Sequence, residues 1–159
     1  MENQKPHDLD ELDVKILQLL QVNARLSNAE IGRQINLSQP ALYQRIRRLE
    51  RGGYIQRYVA LLDRELLGYD LLCFILLRMQ THDYVHIETF RKAVRQMPEV
   101  LECHHLTGEY DYLLKVVVPN RKALERFVVG KLSPVQGIGH IQTSIVFAEV
   151  KASTELPLE

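Results

Sequence analysis

The sequence predicts an α+β chain, in which three short helices are followed by a half where strands and helices alternate. Up to about residue 50, apolar residues recur at helical spacing between cap and turn signals. From about residue 69, apolar and β-branched runs alternate with two helical segments in the order βαββαβ. An apolar content of 46% in 159 residues is enough to fill the cores of such a chain.

Cap and turn signals divide the N-terminal part into three helices. Asp10 is the expected N-cap of the first helix, and Ser27–Glu30 has the form of a capping box that opens the second. Asn36-Leu37 makes the next turn, Ser38 caps the third helix, and the glycines at 52–53 end it. Short helices in this order, the last two joined by a tight turn, are typical of a helix-turn-helix.

The chain after the third helix changes character. Residues 54–62 are rich in β-branched and aromatic side chains, which favour a linker strand after the third helix. Gly68 follows this segment and marks a boundary between domains. We therefore expect a helix-turn-helix domain with a linker strand over residues 1–64 and a second domain over residues 65–159.

The second half predicts a ferredoxin-like sheet with two helices. Its expected elements are a strand at 69–80, a helix ended by Pro98, a hairpin of 100–106 and 110–118, a helix capped by Asn120 and a strand at 139–150. The run LLCFILL at 71–77 is too apolar to face water. Because a small sheet of this kind leaves one face without helices, we expect a dimer through residues 69–80 and 110–118.

A basic stretch lies within this otherwise neutral chain. Residues 37–58 hold five arginines against one glutamate, whereas the whole chain has 20 basic and 20 acidic residues. Such a patch is either a solvated helix face or a surface built for an anion. At 100° per residue, the apolar residues of the third helix form one narrow stripe, and Gln44, Arg47, Arg48 and Arg51 lie on the opposite side.

A helix-turn-helix uses its second helix to read DNA in the major groove, and this pattern fits that use. The N-terminal half of the helix carries Gln39, Tyr43, Gln44 and Arg47, whose side chains suit contacts to bases. Later arginines suit phosphates, which position the protein without specifying sequence. The predicted DNA-binding residues are Ser38, Gln39, Tyr43, Gln44, Arg47, Arg48, Arg51 and Arg57.

Motifs in both halves resemble the Lrp/AsnC (leucine-responsive/asparagine, or feast/famine) family of regulators. The likeness runs from "LDELDVKILQLLQVNARLSNAEIGRQINLSQPALYQRIRRLERGGYIQRYVALLD" to "LTGEYDYLLKVVV" and "IQTSIVFAEVKAS", and it covers about Leu9 to Thr154. The resemblance implies a winged helix-turn-helix and a RAM-type βαββαβ domain that dimerises through its sheet and often forms octamers. It also implies control of transcription, tuned by a small effector that is commonly an amino acid.

The resemblance further implies an effector site beside the turn of the "TGEYDYLL" motif, between dimers. It maps onto Thr107, Gly108, Glu109, Tyr110 and Asp111, with Gln142, Thr143 and Ser144 of the last strand as neighbours. Gly108 allows the backbone to come close to a ligand, and Asp111 suits an ammonium group. The alternative is a plain hairpin turn in which Asp111 caps backbone amides, and the sequence leaves both interpretations open.

Other chemistries have little support. His82 and His86 are four residues apart and Cys103 precedes His104-His105, but adjacent histidines in a strand point to opposite faces, so we predict no metal site. No nucleophilic triad or phosphate-binding loop is visible, so we predict no catalytic residues and no cofactor. With no apolar leader and no run long enough for a membrane helix, we expect a cytoplasmic protein without a membrane partner.

Three functions compete at this point. The first is a transcription regulator that binds double-stranded DNA and responds to an amino acid. The second is an architectural protein that wraps DNA without an effector. The third is a decarboxylase of the same two-domain architecture, but such enzymes lack the outward Gln and Arg face, and we therefore expect no enzyme.

Overall fold

The structure is a computed structural model that describes residues 9–81 and 83–158. The chain folds into two compact units. One extends to Leu61 and includes the C-terminal segment that begins at Lys151, and the other spans Leu62–Val150. The expected division at residues 64 and 65 had assigned that C-terminal segment to the second domain.

Three helices form the first unit. They are α1 (Glu11–Val22), α2 (Asn28–Ile35) and α3 (Gln39–Arg51). Ser27 opens α2 with the predicted capping box, and Asp10 caps α1 as predicted, where the Asp13 side chain completes a second capping box. Asn36 adopts the left-handed conformation between α2 and α3, with a φ of 56°. Ser38 holds the N-cap position of α3, but its side chain makes no capping hydrogen bond.

One apolar core holds these helices together. The predicted stripe on α3 is buried and consists of Leu42, Ile46 and Leu49. It packs with Ile16 of α1 and Ile31 of α2, which are fully buried. Burying side chains of this size contributes about 1.5–3 kcal/mol each, so the stripe fixes which face of α3 remains outside.

The wing and linker strand expected after α3 is not formed in this chain. Among the described residues, none from 52 to 70 belongs to a strand. A strand needs a neighbour for its backbone N–H and C=O groups, and no described residue pairs with this segment in a ladder. Tyr58, Val59, Leu61 and Leu62 are exposed there, so the β-branched composition reflects apolar surface rather than local strand pairing.

The second unit contains four strands and two helices, in the predicted order. These are β1 (Leu71–Met79), α4 (Tyr84–Arg95), β2 (Val100–His105), β3 (Tyr112–Val118), α5 (Arg121–Glu125) with its π-helical continuation Arg126–Leu132, and β4 (Ile138–Ile145). The sheet has the order β2-β3-β1-β4, and each neighbouring pair is antiparallel. This is the ferredoxin-like arrangement that the sequence predicts.

The two faces of this sheet differ. Alternate residues of β1, including Cys73, Ile75 and Leu77, are buried in a core with Phe90 of α4 and Phe127 of the π-helical segment. The intervening residues belong to the other face, which we call the open face. Its apolar members are Leu72, Phe74, Leu76, Leu113 and Val117.

Candidate nucleic-acid interface and effector site

The outer face of α3 carries the side chains predicted to read bases. Gln39, Tyr43, Gln44 and Arg47 are all exposed, and half of the Tyr43 surface is open to solvent. They lie where the buried stripe leaves the helix free. This face presents amide, phenol and guanidinium donors, which suit the edges of bases in a major groove.

Two arginines of α3 are engaged inside the unit. Arg45 Nη1 lies 2.9 Å from Asp13 Oδ1 and 2.5 Å from Asp10 Oδ2. Arg48 forms an ion pair with the other carboxylate oxygen of Asp13, and Asp13 is fully buried. Arg48 is exposed, as its outward placement predicts, with a side chain that is 57% open to solvent, and its guanidinium also reaches back to α1.

These contacts change the electrostatics of the first turn of α1. The hydrogen bond from Arg45 is the main cause that lowers the pKa of Asp10, with the Asp13 backbone N–H second. The same bond to Asp10, and then the bond to Asp13, raise the pKa of Arg45. The Asp10 carboxylate therefore stays charged to a lower pH than a free aspartate and continues to hold Arg45 against α1.

The remaining arginines of the basic stretch differ in their partners. Arg47 Nη1 lies 3.1 Å from Glu50 Oε2, and the other oxygen of Glu50 accepts a hydrogen bond from Tyr58. Arg51 and Arg57 are exposed, and neither has an ion-pair or hydrogen-bond partner for its side chain in the part of the chain that the structure describes. These two are the arginines best able to meet phosphates.

The candidate effector turn connects β2 and β3. Thr107, Gly108 and Glu109 are exposed, and Gly108 has a φ of 118°, which side chains rarely allow. A Cβ built on Gly108 meets nothing within 4 Å. The turn therefore needs glycine for its backbone conformation, and there is open space beside it.

Asp111 caps a backbone amide, which is one of the two roles that the sequence allows for it. Its Oδ2 accepts a hydrogen bond of 2.7 Å from the backbone N–H of Met79, and its own N–H donates to Leu77 O. The β1–β4 register shifts between Arg78 and Met79, and the ladder is irregular there. Asp111 thus satisfies a backbone donor at the irregular end of β1, whatever further role it has.

The last-strand residues of the predicted site do not share one face. Gln142 and Ser144 pair with Leu76 and Phe74 and belong to the open face, whereas Thr143 pairs with Ile75 of the core side. Tyr110 donates its hydroxyl to Gln142 Oε1, which ties the turn to β4. The turn and Gln142 are therefore brought together, and Thr143 is directed to the opposite side.

Sequence reasoning missed two features. The first is the Asp13 cluster, although the position of Arg45 at the border of the α3 stripe was a signal for it. The second is the C-terminal segment, where Gln21 exchanges two hydrogen bonds with the backbone of Leu156. Gln18 also donates to Leu158 O at 3.0 Å. Nothing in the local pattern of this segment indicates that docking.

The described residues meet neither the requirements of a metal site nor those of a membrane-spanning helix. Among the described residues, no group of three or more His, Cys, Asp or Glu side chains is arranged to hold a metal ion, and His82 lies outside the described residues. Every described helix is too short or too polar to cross a bilayer.

Comparisons with known proteins agree in both units. Residues 9–50 match the AsnC-type helix-turn-helix domain, and residues 72–156 match the Lrp/AsnC ligand binding domain. The leucine-responsive regulatory protein of Escherichia coli K12 is 38% identical over 152 residues, which cover 96% of this chain and 93% of that protein. The chain belongs to the Lrp/AsnC family.

Solved structures of Lrp/AsnC proteins have the same fold. A transcriptional regulator from Neisseria meningitidis, solved as a complex with L-Met, has a TM-score of 0.91 and 39% identity, with 94% of this chain and 97% of that chain covered. An AsnC family regulator from Agrobacterium tumefaciens has a TM-score of 0.89 and 33% identity, with 94% and 97% covered. The protein is therefore an Lrp/AsnC-type transcription regulator, and this family is not enzymatic.

Proposed function

We propose that this protein is a sequence-specific DNA-binding regulator whose DNA affinity or assembly responds to an amino acid. One observation carries the DNA part. The exposed face of α3 combines Gln44 and Arg47, which suit bases, with Arg51, whose charge no described residue neutralises. Since its target is DNA, we also propose that the protein works in the cytoplasm, as expected for a bacterial-type regulator.

In this proposal the residues of α3 have separate roles. Gln39, Tyr43, Gln44 and Arg47 contact base edges, because they lie toward the N-terminal half of the helix. Arg51 and Arg57 contact phosphates. Ser38 has an exposed side chain without a capping bond, so its hydroxyl is suited to a phosphate oxygen beside the helix start.

The open face supports a dimer. Phe74 is 37% exposed at the centre of β1, and its apolar neighbours on the open face are Leu76 and Leu113. An apolar patch of this kind on a sheet without covering helices favours contact with an identical patch on a second copy. Assembly of dimers into octamers stays a prediction from the family.

The effector is proposed to bind at the turn that contains Gly108. Three features support this: the open space beside Gly108, the link from Tyr110 to Gln142, and a carboxylate at Asp111. The relative from N. meningitidis was solved with L-Met, and this favours an amino acid as the ligand class here. Thr107 and Glu109 border the same turn, and Ser144 lies two residues beyond Gln142 on the open face.

The two roles of Asp111 can be separated by a matched pair of variants. Asp111→Asn keeps an acceptor for the Met79 N–H but removes the charge, whereas Asp111→Ala removes both. Calorimetry with each of the twenty amino acids should find one that binds the wild type. We expect both variants to lose that binding and only Asp111→Ala to lose thermal stability as well.

Two outcomes would contradict the effector proposal. If no amino acid binds at millimolar concentration, the architectural function gains, because such a protein needs no effector. If Asp111→Asn binds the amino acid normally, the charge of Asp111 plays no part and its role is limited to the backbone contact. A bound amino acid must also shift DNA affinity or assembly, since equal affinity for both states changes nothing.

A further inference from the structure

A buried carboxylate lies between the first and third helices, and the proposed function does not use it. Asp13 has no exposed surface and lies in the first turn of α1. Its Oδ1 accepts from Arg45 at 2.9 Å and its Oδ2 is paired with Arg48. The backbone N–H of Asp10 also donates to Oδ2, at 3.2 Å.

The charges in this cluster balance. Two carboxylates, Asp10 and Asp13, face two guanidinium groups, Arg45 and Arg48. A buried carboxylate is costly unless it is paired and hydrogen-bonded, so Asp13 requires both arginines. The same pairing removes two positive charges from the field that a DNA phosphate would meet.

We propose that Asp13 is a specificity-determining residue for DNA binding. Its carboxylate holds Arg45 and Arg48 in ion pairs between α1 and α3, and these ion pairs neutralise the two arginines. Within the basic stretch, Arg51 and Arg57 then provide the attraction to phosphates. The charge of Arg47 is partly neutralised by its ion pair with Glu50. Non-specific affinity depends on the number of phosphates neutralised, and specificity is the ratio of specific to non-specific affinity. The inference rests on the proposed DNA reading by α3 and states which of its arginines take part.

Salt dependence tests which arginines touch phosphate. Affinity for a mixed-sequence duplex is measured between 50 and 200 mM salt for the wild type, Arg48→Met and Arg51→Met. Each lost phosphate contact should reduce the slope of log affinity against log salt by about 0.9. We expect this reduction for Arg51→Met, and an unchanged slope with a lower melting temperature for Arg48→Met.

Asp13→Asn tests the restraining role. Asparagine has the same shape but leaves Arg48 without its carboxylate partner and Arg45 with Asp10 alone. We expect a lower melting temperature, together with tighter non-specific binding and a slope steeper by about 0.9 for each arginine released. A purely structural role would weaken binding without steepening the slope.

The outcomes separate this inference from the proposed function. A flatter slope for Arg48→Met, equal to that of Arg51→Met, would show that Arg48 contacts phosphate and would overturn the inference alone. A folded Asp13→Asn protein with the wild-type slope would also overturn it. If Arg51→Met also leaves the slope unchanged, Arg51 does not contact phosphate, and the phosphate contact assigned to it under the proposed function fails. The Arg48→Met result decides the question even if Asp13→Asn does not fold.

Discussion

At the scale of single residues, Asp83 shows how one cap can make stability depend on pH. It accepts a hydrogen bond of 3.0 Å from the backbone N–H of His86, and its carboxylate also contacts the His86 ring and the Thr81 hydroxyl. The bond from the His86 N–H is the largest cause that lowers the pKa of Asp83, which falls to about 2. Because the folded pKa is below the unfolded one, the charged cap stabilises the protein above about pH 4, and this contribution disappears as the pH falls toward 2.

Asp83→Asn should remove that pH dependence while keeping a side-chain acceptor for the cap. Between pH 5 and pH 2.5, we expect the melting temperature of the variant to fall less steeply than that of the wild type. Asp83→Ala is the control, because it removes the capping acceptor as well as the charge and should lower the melting temperature at pH 5 more than Asp83→Asn does. If Asp83→Asn and the wild type follow the same acid profile, the ionised cap is not a source of acid sensitivity.

Residues whose partners are close in sequence were predictable. The caps at Asp10, Ser27 and Asn120 depend on amides three residues away, and the sequence predicts all three. The contact of Arg48 with Asp13 spans 35 residues, and helical periodicity alone assigned Arg48 to the outer face. A long side chain can bend away from the direction in which its Cα–Cβ bond points. Only the packing of α1 on α3 shows where the guanidinium of Arg48 lies.

At the scale of elements, the C-terminal segment docks on α1 as part of the first unit. The amide of Gln21 both donates to and accepts from Leu156, at 3.1 and 2.7 Å. Gln18 holds the carbonyl of Leu158, and the Leu158 side chain packs on the core of the three helices. The segment therefore packs on a side of α1 that α2 and α3 do not cover.

Ending the chain after Thr154 should destabilise the first unit and leave the sheet intact. Three hydrogen bonds and the Leu158 contact together suggest a loss of about 1–3 kcal/mol. Hydrogen exchange should show faster exchange for amides of α1, with β1 and β3 unchanged as the internal control. Gln21→Ala should give a smaller effect of the same kind. Unchanged protection in α1 after the truncation would contradict this docking.

Elements set by periodicity were predicted well, and those set by distant partners were not. The order βαββαβ and the hairpin around Gly108 follow from alternation and turn residues. The helix capped by Asn120 was expected to be regular, but Arg126–Leu132 is π-helical, with Ser133 N–H bonded to Val128 O. The linker strand was expected from β-branched composition, which does not supply the partner that a strand needs.

At the scale of the whole molecule, the open face predicts the assembly. Phe74→Glu places a charge at the centre of the apolar patch, where a second copy is proposed to pack. We expect light scattering at micromolar concentration to show a dimer or larger assembly for the wild type and a monomer for this variant. Val129→Glu is the control, since Val129 is 65% exposed on the π-helical segment and should not alter assembly.

Two results would contradict the proposed dimer. A wild-type protein that remains monomeric at micromolar concentration has no need of a covered open face. A Phe74→Glu protein that keeps the wild-type mass would show that copies meet elsewhere. The sequence anticipated this face because LLCFILL is apolar on both sides of its strand, while the helices cover only one.

The candidate sites were predicted only in part at this scale. The outward face of α3 was predictable, because an apolar stripe fixes the opposite side of a helix. The effector turn was inferred from family resemblance, and the pleat of β4 directs Thr143 away from Gln142, which the list of neighbours did not foresee.

Selection from a pool of random DNA duplexes tests the central claim, that α3 reads sequence. The wild-type protein should enrich one motif, and a dimer should give it two related half-sites. Gln44→Ala should keep binding but lose preference at particular base pairs, at a cost of about 1–3 kcal/mol for the preferred base. If the wild type enriches no motif, or if Gln44→Ala and Arg47→Ala both enrich the wild-type motif unchanged, α3 does not read DNA in the way proposed.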